Sequence, residues 1–206
     1  MRKIIASLFI SLDGVVEAPD QWHFPYFDDD MGAAVGALLE RSDTLLIGRK
    51  TYDSFAGAWP GREAEGGEDY AFAKLLGDSR KIVLSRQKLD FHWRNSEQLE
   101  GDFATFVTAL KEEPGKDISV SGSISVIRKL MDTGLLDELH LLVHPIAVRK
   151  GMRLFDEADT TIPLKLLTTQ RFASGVVYLV YAPATADGAD GTPADATYED
   201  AKTHLP

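Results

Sequence analysis

Cysteine is absent from this chain. That removes disulfides, thiolate metal sites and thiol catalysis, and it fits a reducing, cytoplasmic setting. Positive charge is scarce, with 22 Lys and Arg against 32 Asp and Glu for a net charge of −10. Nucleic acid is therefore not an expected partner, because phosphate-backbone binding needs clustered Lys and Arg. A local basic pocket for a small phosphorylated ligand remains compatible with that balance. No apolar run approaches the roughly 20 residues of a membrane span. The basic and apolar start, Met1 to Ile10, is followed at once by Asp13 and Glu17 with no small-residue cleavage site. It reads as a first strand rather than a signal peptide.

What is present is an ordinary globular composition over most of 206 residues, with no internal repeats. One domain is expected to about residue 182. From Pro183 to Pro206 the chain turns to Ala, Asp, Thr and Pro with almost no large apolar side chains, the composition of a flexible acidic tail.

The central stretch is Thr44 to Ser54. Leu45-Leu46-Ile47 reads as a buried strand that breaks at Gly48 and feeds a polar helix start. Free N–H groups and the dipole at such a start favour an anion. Arg49 adds a cation with bidentate reach, Lys50 stands beside it, and Thr51 adds a hydroxyl. An ordinary strand–helix turn with a surface arginine is the bland alternative.

In chain order, Ile4 to Ile10 is a strand and Ser11 to Gly14 a turn. The loop to Phe27 carries Trp22, His23, Tyr26 and Phe27, more rings than a plain connector needs, and it suits a cover for a flat ligand. Asp28-Asp29-Asp30 opens a helix to about Arg41, with Met31, Val35, Leu38 and Leu39 at helical spacing. Capping accounts for two of those aspartates. The third, Asp28 or Asp30, is left to face a pocket as proton donor or orienting carboxylate. A short helix covers Tyr52 to Ala56 and ends at Gly57 to Gly61. Asp69 to Leu76 is a helix, and Arg80 to Leu84 a strand. Ser85 and Arg86 follow it, where α/β sheets bind ligands, and Arg86 would suit a 2′-phosphate.

Phe91-His92-Trp93 is a candidate edge strand. Asp102 caps a helix through Leu110, and Asp117 to Ser121 is a strand. Gly122-Ser123-Ile124 repeats the strand–Gly–helix turn and would suit a pyrophosphate. Leu135 to His144 is a long strand. On it His140 and His144 share a face about 13 Å apart, too far for one metal ion, so both read as packing or interface residues. No metal is expected. Leu164 to Phe172 and Val176 to Tyr181 form an antiparallel hairpin.

Together these blocks resemble the dihydrofolate reductase-like superfamily. More closely, they resemble the family built on the C-terminal reductase domain of bacterial bifunctional riboflavin biosynthesis proteins. The carrying residues are Ser11-Leu12-Asp13-Gly14, Leu46 to Tyr52, Ile82 to Arg86, Val120 to Ser123, and Gly134 to Pro145. The resemblance implies an α/β fold, a mostly parallel central sheet flanked by helices with an antiparallel C-terminal hairpin, over residues 1–182. It implies NADPH across the strands' carboxyl ends and hydride transfer to a flat, pterin- or pyrimidine-like heterocycle.

By the family's pattern Gly48, Arg49, Lys50 and Thr51 hold cofactor phosphates, and Ser85 and Arg86 surround the 2′-phosphate. Ser121, Gly122, Ser123 and Ile124 meet the pyrophosphate. Ala6, Asp13 and Gly14 border the nicotinamide. Asp30, Asp28 or Asp13 would deliver the proton, and Trp22, Phe27, Tyr52 and Trp59 would meet substrate. A homodimer through the C-terminal strands is also implied. No Gly-x-Gly-x-x-Gly occurs, as expected of this superfamily. Folate-type reductases show consecutive glycines where Gly122 here stands between serines. No zinc-ligand set of His and Cys accompanies the domain, so a stand-alone relative with its own substrate is expected. The rival class is a nucleotide- or ligand-binding module without turnover.

Overall fold

The computed structural model describes residues 1–155 and 161–184. Its centre is an eight-stranded sheet in the order β4-β3-β2-β5-β1-β6-β8-β7. The strands are β1 (Ile4–Ser11), β2 (Ser42–Gly48), β3 (Arg80–Leu84), β4 (Ser96–Gln98), β5 (Asp117–Ser121), β6 (Glu138–His144), β7 (Leu164–Arg171) and β8 (Val177–Pro183). The strands from β4 to β6 run parallel, and β8 and β7 are antiparallel. The mostly parallel sheet with its antiparallel hairpin is the arrangement expected from the sequence.

Alternation along β1 sets the layers. Ile4, Ala6, Leu8 and Ile10 meet α4 (Phe103–Glu112) and α5 (Ile124–Asp132) through Phe103, Val107, Val126 and Leu130. The opposite face carries α1 (Asp29–Glu40), α2 (Arg49–Glu65) and α3 (Tyr70–Asp78), which contribute Met31, Leu39, Tyr52 and Leu76. Both faces of the sheet are covered, and for that reason its inner strands read as apolar runs. Each fully buried Leu or Ile contributes about 1.5–3 kcal/mol.

Three boundaries depart from the sequence reading. The helix expected over Tyr52 to Ala56 runs from Arg49 to Glu65 through Gly57 and Pro60. Its second half is held by Trp59 against the Phe72 ring of α3 at 4.9 Å, so packing overrides the two breakers. Phe91-His92-Trp93 is not a strand, and the edge strand is Ser96–Gln98. The amides of His92 and Trp93 donate to the Tyr52 hydroxyl instead of a ladder, both at 3.3 Å. Strand β6 starts at Glu138 rather than Leu135, after Gly134 at φ +66°. The tail expected from Pro183 lies outside the described residues beyond Ala184; Pro183 itself closes β8 opposite Leu164.

Candidate active site at the carboxyl ends of the strands

The chain visits β1, steps out through β2 to β4, returns to β5, then crosses to β6 on the far side of β1. Open α/β sheets bind ligands outside the strands' carboxyl ends, where the order reverses. Here that edge holds the turns after β2, β3 and β5 on one side and the ends of β1 and β6 on the other.

The first side is polar and tied together. The Gly48 amide donates to Ser123 Oγ at 2.9 Å, Ser123 Oγ donates to Thr51 Oγ1 at 2.8 Å, and Thr51 Oγ1 donates to the Gly122 carbonyl at 3.3 Å. Ser123 is the N-cap residue of α5, yet its hydroxyl caps no amide of that helix, and Gly48 at the start of α2 has no side chain to do so. Two helix starts therefore keep their first amides uncapped by side chains, side by side, in the arrangement that attracts an anion. Gly122 sits at φ +66°, and a Cβ there would lie 3.6 Å from Thr51 Cγ2, so this close turn favours glycine.

Arg49 extends the cradle to β3. Its Nη1 donates to Gln87 Oε1 at 2.6 Å, and its Nε reaches Asp53 at 3.3 Å. Ser85 Oγ exchanges hydrogen bonds with the backbone of Gln87, and Gln98 Nε2 holds the same turn through the carbonyls of Ser85 and Gln87. Lys50 and Arg86 stand exposed beside it, Ser121 ends β5, and Ile124 opens α5. Gln87 and Gln98 escaped the sequence reading, since neither residue type nor spacing marks them.

On the second side β1 pairs with β5 only to Ser7↔Ser121, then runs from Leu8 to Ser11 against β6 alone. There β1 and β5 part company, just before the Gly122 turn. Ala6 lies just before this point, paired on both sides and fully buried. Asp13 accepts from Ser11 Oγ at 2.6 Å and from the amides of Val148 and Arg149 at 3.0 and 2.8 Å. The Ser11 hydroxyl first, then these amides, hold its carboxyl below the usual range. Asp13 is thus a fixed anion clamping the loop after β6, with Gly14 turning beside it at φ +84°; it does not hold a proton to give.

Asp28 is the N-cap of α1, accepting from Met31 N and Ser174 N, both at 2.9 Å. The Met31 amide chiefly keeps it ionised. Asp30 is exposed, meets the Ala173 amide at 3.4 Å, and lines a 280 Å³ cavity with Arg41, His140, Gln170 and Tyr178. The Ala173 amide contact of Asp30 is longer than any bond that holds Asp13 or Asp28.

The four rings assigned to substrate are not brought together. Tyr52 is buried in the core, its hydroxyl spent on two amides. Trp59 packs between Phe72 and the Arg62 guanidinium. Trp22 is buried against His144, and Phe27 is half-exposed above His23. Around them stand Phe9, His23, Tyr26 and His144, a cluster that the sequence reading credited only in part. His140 joins Glu138 at 2.9 Å and Tyr178 at 2.5 Å, a packing role as expected. Among the described residues no group of three His, Asp or Glu stands together to hold a metal, and no helix is long and apolar enough to cross a membrane.

The uncapped helix starts, the Arg49 guanidinium and the glycine at φ +66° fit a dinucleotide's phosphates. The family model described as the RibD C-terminal domain matches residues 2–178. The uncharacterized protein YyaP of Bacillus subtilis (strain 168) is 34% identical over 181 residues, 87% of this chain and 94% of that one. A candidate riboflavin biosynthesis protein from Shewanella sp. PV-4 superposes with a TM-score of 0.69 at 19% identity, covering 90% of this chain and 100% of the other. Dihydrofolate reductase from Enterococcus faecalis, complexed with NADP(H), superposes with a TM-score of 0.57 at 16% identity over 89% and 97%. The fold is that of the dihydrofolate reductases.

Proposed function

Because the chain belongs to the family of the RibD C-terminal domain, we propose that it is an NADPH-dependent reductase of a flat heterocycle of pterin or pyrimidine type. The observation that carries this reading is the junction of Gly48, Thr51, Gly122 and Ser123, which aligns two uncapped helix starts on one point. These amides would take the pyrophosphate, Arg49 and Thr51 a neighbouring phosphate, and Ser85 and Arg86 the 2′-phosphate. When bound, NADPH supplies the hydride for a C=N or C=O carbon.

The protein's part is orientation and exclusion of water. The end of β1 from Leu8 to Ser11, which β5 leaves unpaired, would hold the nicotinamide, and the Asp13 clamp fixes the loop after β6 beside it. Since Asp13 and Asp28 are committed to backbone amides, the proton would come from solvent, directly or relayed through Asp30. That same engagement of two carboxylates favours the alternative, a binding module without turnover.

The C-terminal hairpin would form a homodimer. In one chain β7 is exposed along its length, with Leu166 and Leu167 each about half-exposed; a monomer at micromolar concentration would remove this part. For the reductase itself, the test is NADPH consumption in the presence of a pterin panel. Turnover that disappears in Arg49→Ala supports it. Saturable binding of a heterocycle with no consumption of NADPH replaces it by the binding module.

A further inference from the structure

The hydrogen bonds of the Ala18–Phe27 segment are local. Trp22 Nε1 reaches the Glu17 carbonyl at 3.1 Å, and every described backbone bond of the segment closes on itself. Before it, Val16 and Glu17 are bonded to Met152; after it, Asp28 is bonded to Met31 and Ser174. Between these anchors, among the described residues, only side chains attach the segment to the body. Its first residue, Ala18, sits at φ +45°, a conformation a residue with a Cβ rarely adopts.

Those side chains leave unpaired polar atoms inside. His144 is fully buried, and its Nδ1 donates to the Leu142 carbonyl at 2.8 Å, so Nε2 is a bare acceptor. That Nε2 is buried with no hydrogen-bond partner, and so is Nδ1 of His23, which is 7% exposed. Burial lowers both imidazoles below the ordinary histidine range, keeping them neutral. Unpaired buried polar atoms are rare because their desolvation is uncompensated, and two in one cluster call for an explanation. The geometry supplies one. His23 lies on the face of Phe9, centroids 4.6 Å apart and planes 20° apart, while Phe9, Trp22 and Tyr26 all meet His144 nearly at right angles. A flat ring already stacks on Phe9, with its centroid 6.2 Å from that of His144 and perpendicular to it, and it does not satisfy the His144 acceptor.

We propose that the face of Phe9 and Nε2 of His144 form the berth of a flat, uncharged heterocycle bearing a ring N–H, and that the His23 imidazole occupies this berth until the 18–27 segment lifts. The inference deepens the reductase reading and rests on it. Phe9 and His144 stand on β1 and β6, where Ser11 pairs with His144 at the carboxyl edge. The cofactor cradle lies across β1 from them, so the berth would present a substrate to the same end of β1. An N–H on the ring's edge would donate to His144 Nε2, and the surrounding rings would disfavour a charged group.

The test measures binding of lumazine, which has ring N–H groups, and of 1,3-dimethyllumazine, which has none. Wild type, His23→Ala, His144→Gln and His144→Leu are compared, with NADPH binding measured in parallel. His23→Ala should bind lumazine about tenfold more tightly, the competing ring being gone. Lumazine should be preferred over its dimethyl form by about tenfold. That preference should persist in His144→Gln, whose amide oxygen is still an acceptor, and vanish in His144→Leu. Unchanged affinity in His23→Ala, a preference that survives His144→Leu, or no lumazine binding to any variant overturns the proposal. If His144→Leu does not fold, the His23→Ala result decides alone. The two readings fail separately. Lumazine binding as expected without NADPH binding sinks the reductase and keeps the berth; NADPH binding with no His23→Ala effect does the reverse.

Discussion

The two sides of the carboxyl edge are built to opposite rules. After β2, β3 and β5 the side chains are polar, and their bonds close within these turns: Ser123 with the Gly48 amide and Thr51, Arg49 with Gln87, Ser85 with the Gln87 backbone. At the ends of β1 and β6 the side chains are rings, and two buried nitrogens have no partner. A site whose side chains are already tied in place, with only helix-start amides left open, is pre-formed and can receive a large ligand with little rearrangement. A site with unmade bonds has a cost that a ligand can remove. On the proposed reductase reading, the contrast would put the cofactor on the first side and the substrate on the second.

The sharpest break of this contrast is Gly122→Val. At φ +66° a β-branched residue is strained by about 1–2 kcal/mol, with its Cβ in contact with Thr51. NADPH affinity should fall by about 100-fold with a lower melting temperature; normal affinity would mean that the turn does not carry the phosphate. Next is Arg49→Ala. Losing a hydrogen bond to a charged group costs about 1.5–3 kcal/mol, a weakening of roughly 10- to 100-fold in NADPH binding without loss of fold. Isothermal titration reads this directly, and an unchanged Kd would remove Arg49 from the cradle.

Tyr52→Phe separates structure from function within the Gly-Arg-Lys-Thr-Tyr block. It frees two amides and should lower stability by about 0.5–1.5 kcal/mol in urea titrations while leaving NADPH affinity unchanged. A change in heterocycle binding would return Tyr52 to the substrate side.

The smallest effect is that of pH, and it should reach the two sides separately. His23 and His144 are shifted below the ordinary value of 6.5 by burial. As pH falls through 6.5 the unfolded chain binds protons that the folded rings refuse, so stability drops. Asp13, held low by Ser11 and the amides, and Asp28, held low by Met31, contribute stability that is complete above 3.8 and is lost as pH falls through their depressed folded values. Trp22 emission should therefore change in mildly acidic buffer, before global unfolding in stronger acid. A single transition confined to strong acid would contradict the distinction.

What the sequence disclosed follows the same division. The Gly48 and Gly122 turns were legible because a strand–glycine–helix passage with nearby hydroxyls is a local pattern, and local chemistry determines it. The berth was not, because Phe9, His23 and His144 lie far apart in sequence and meet only through the β1–β6 register and a loop with no period. Tyr52 misled because its place beside Thr51 suggested the site, while helical rotation turns it into the core. Asp13 was legible as important but not as a clamp, since its partners Val148 and Arg149 are remote. Gly57 and Pro60 signalled a helix end that the packing of Trp59 on Phe72 overrode.

The most direct measurement is a paired titration of NADPH and NADH into the wild type and Ser123→Ala, followed by isothermal calorimetry. Ser123→Ala removes the hydroxyl joining the two turns and adds no bulk. The account predicts that the wild type binds NADPH in preference to NADH and that Ser123→Ala weakens NADPH by about tenfold. Equal binding of both nucleotides, or of neither, or a Ser123→Ala protein indistinguishable from wild type, would contradict it.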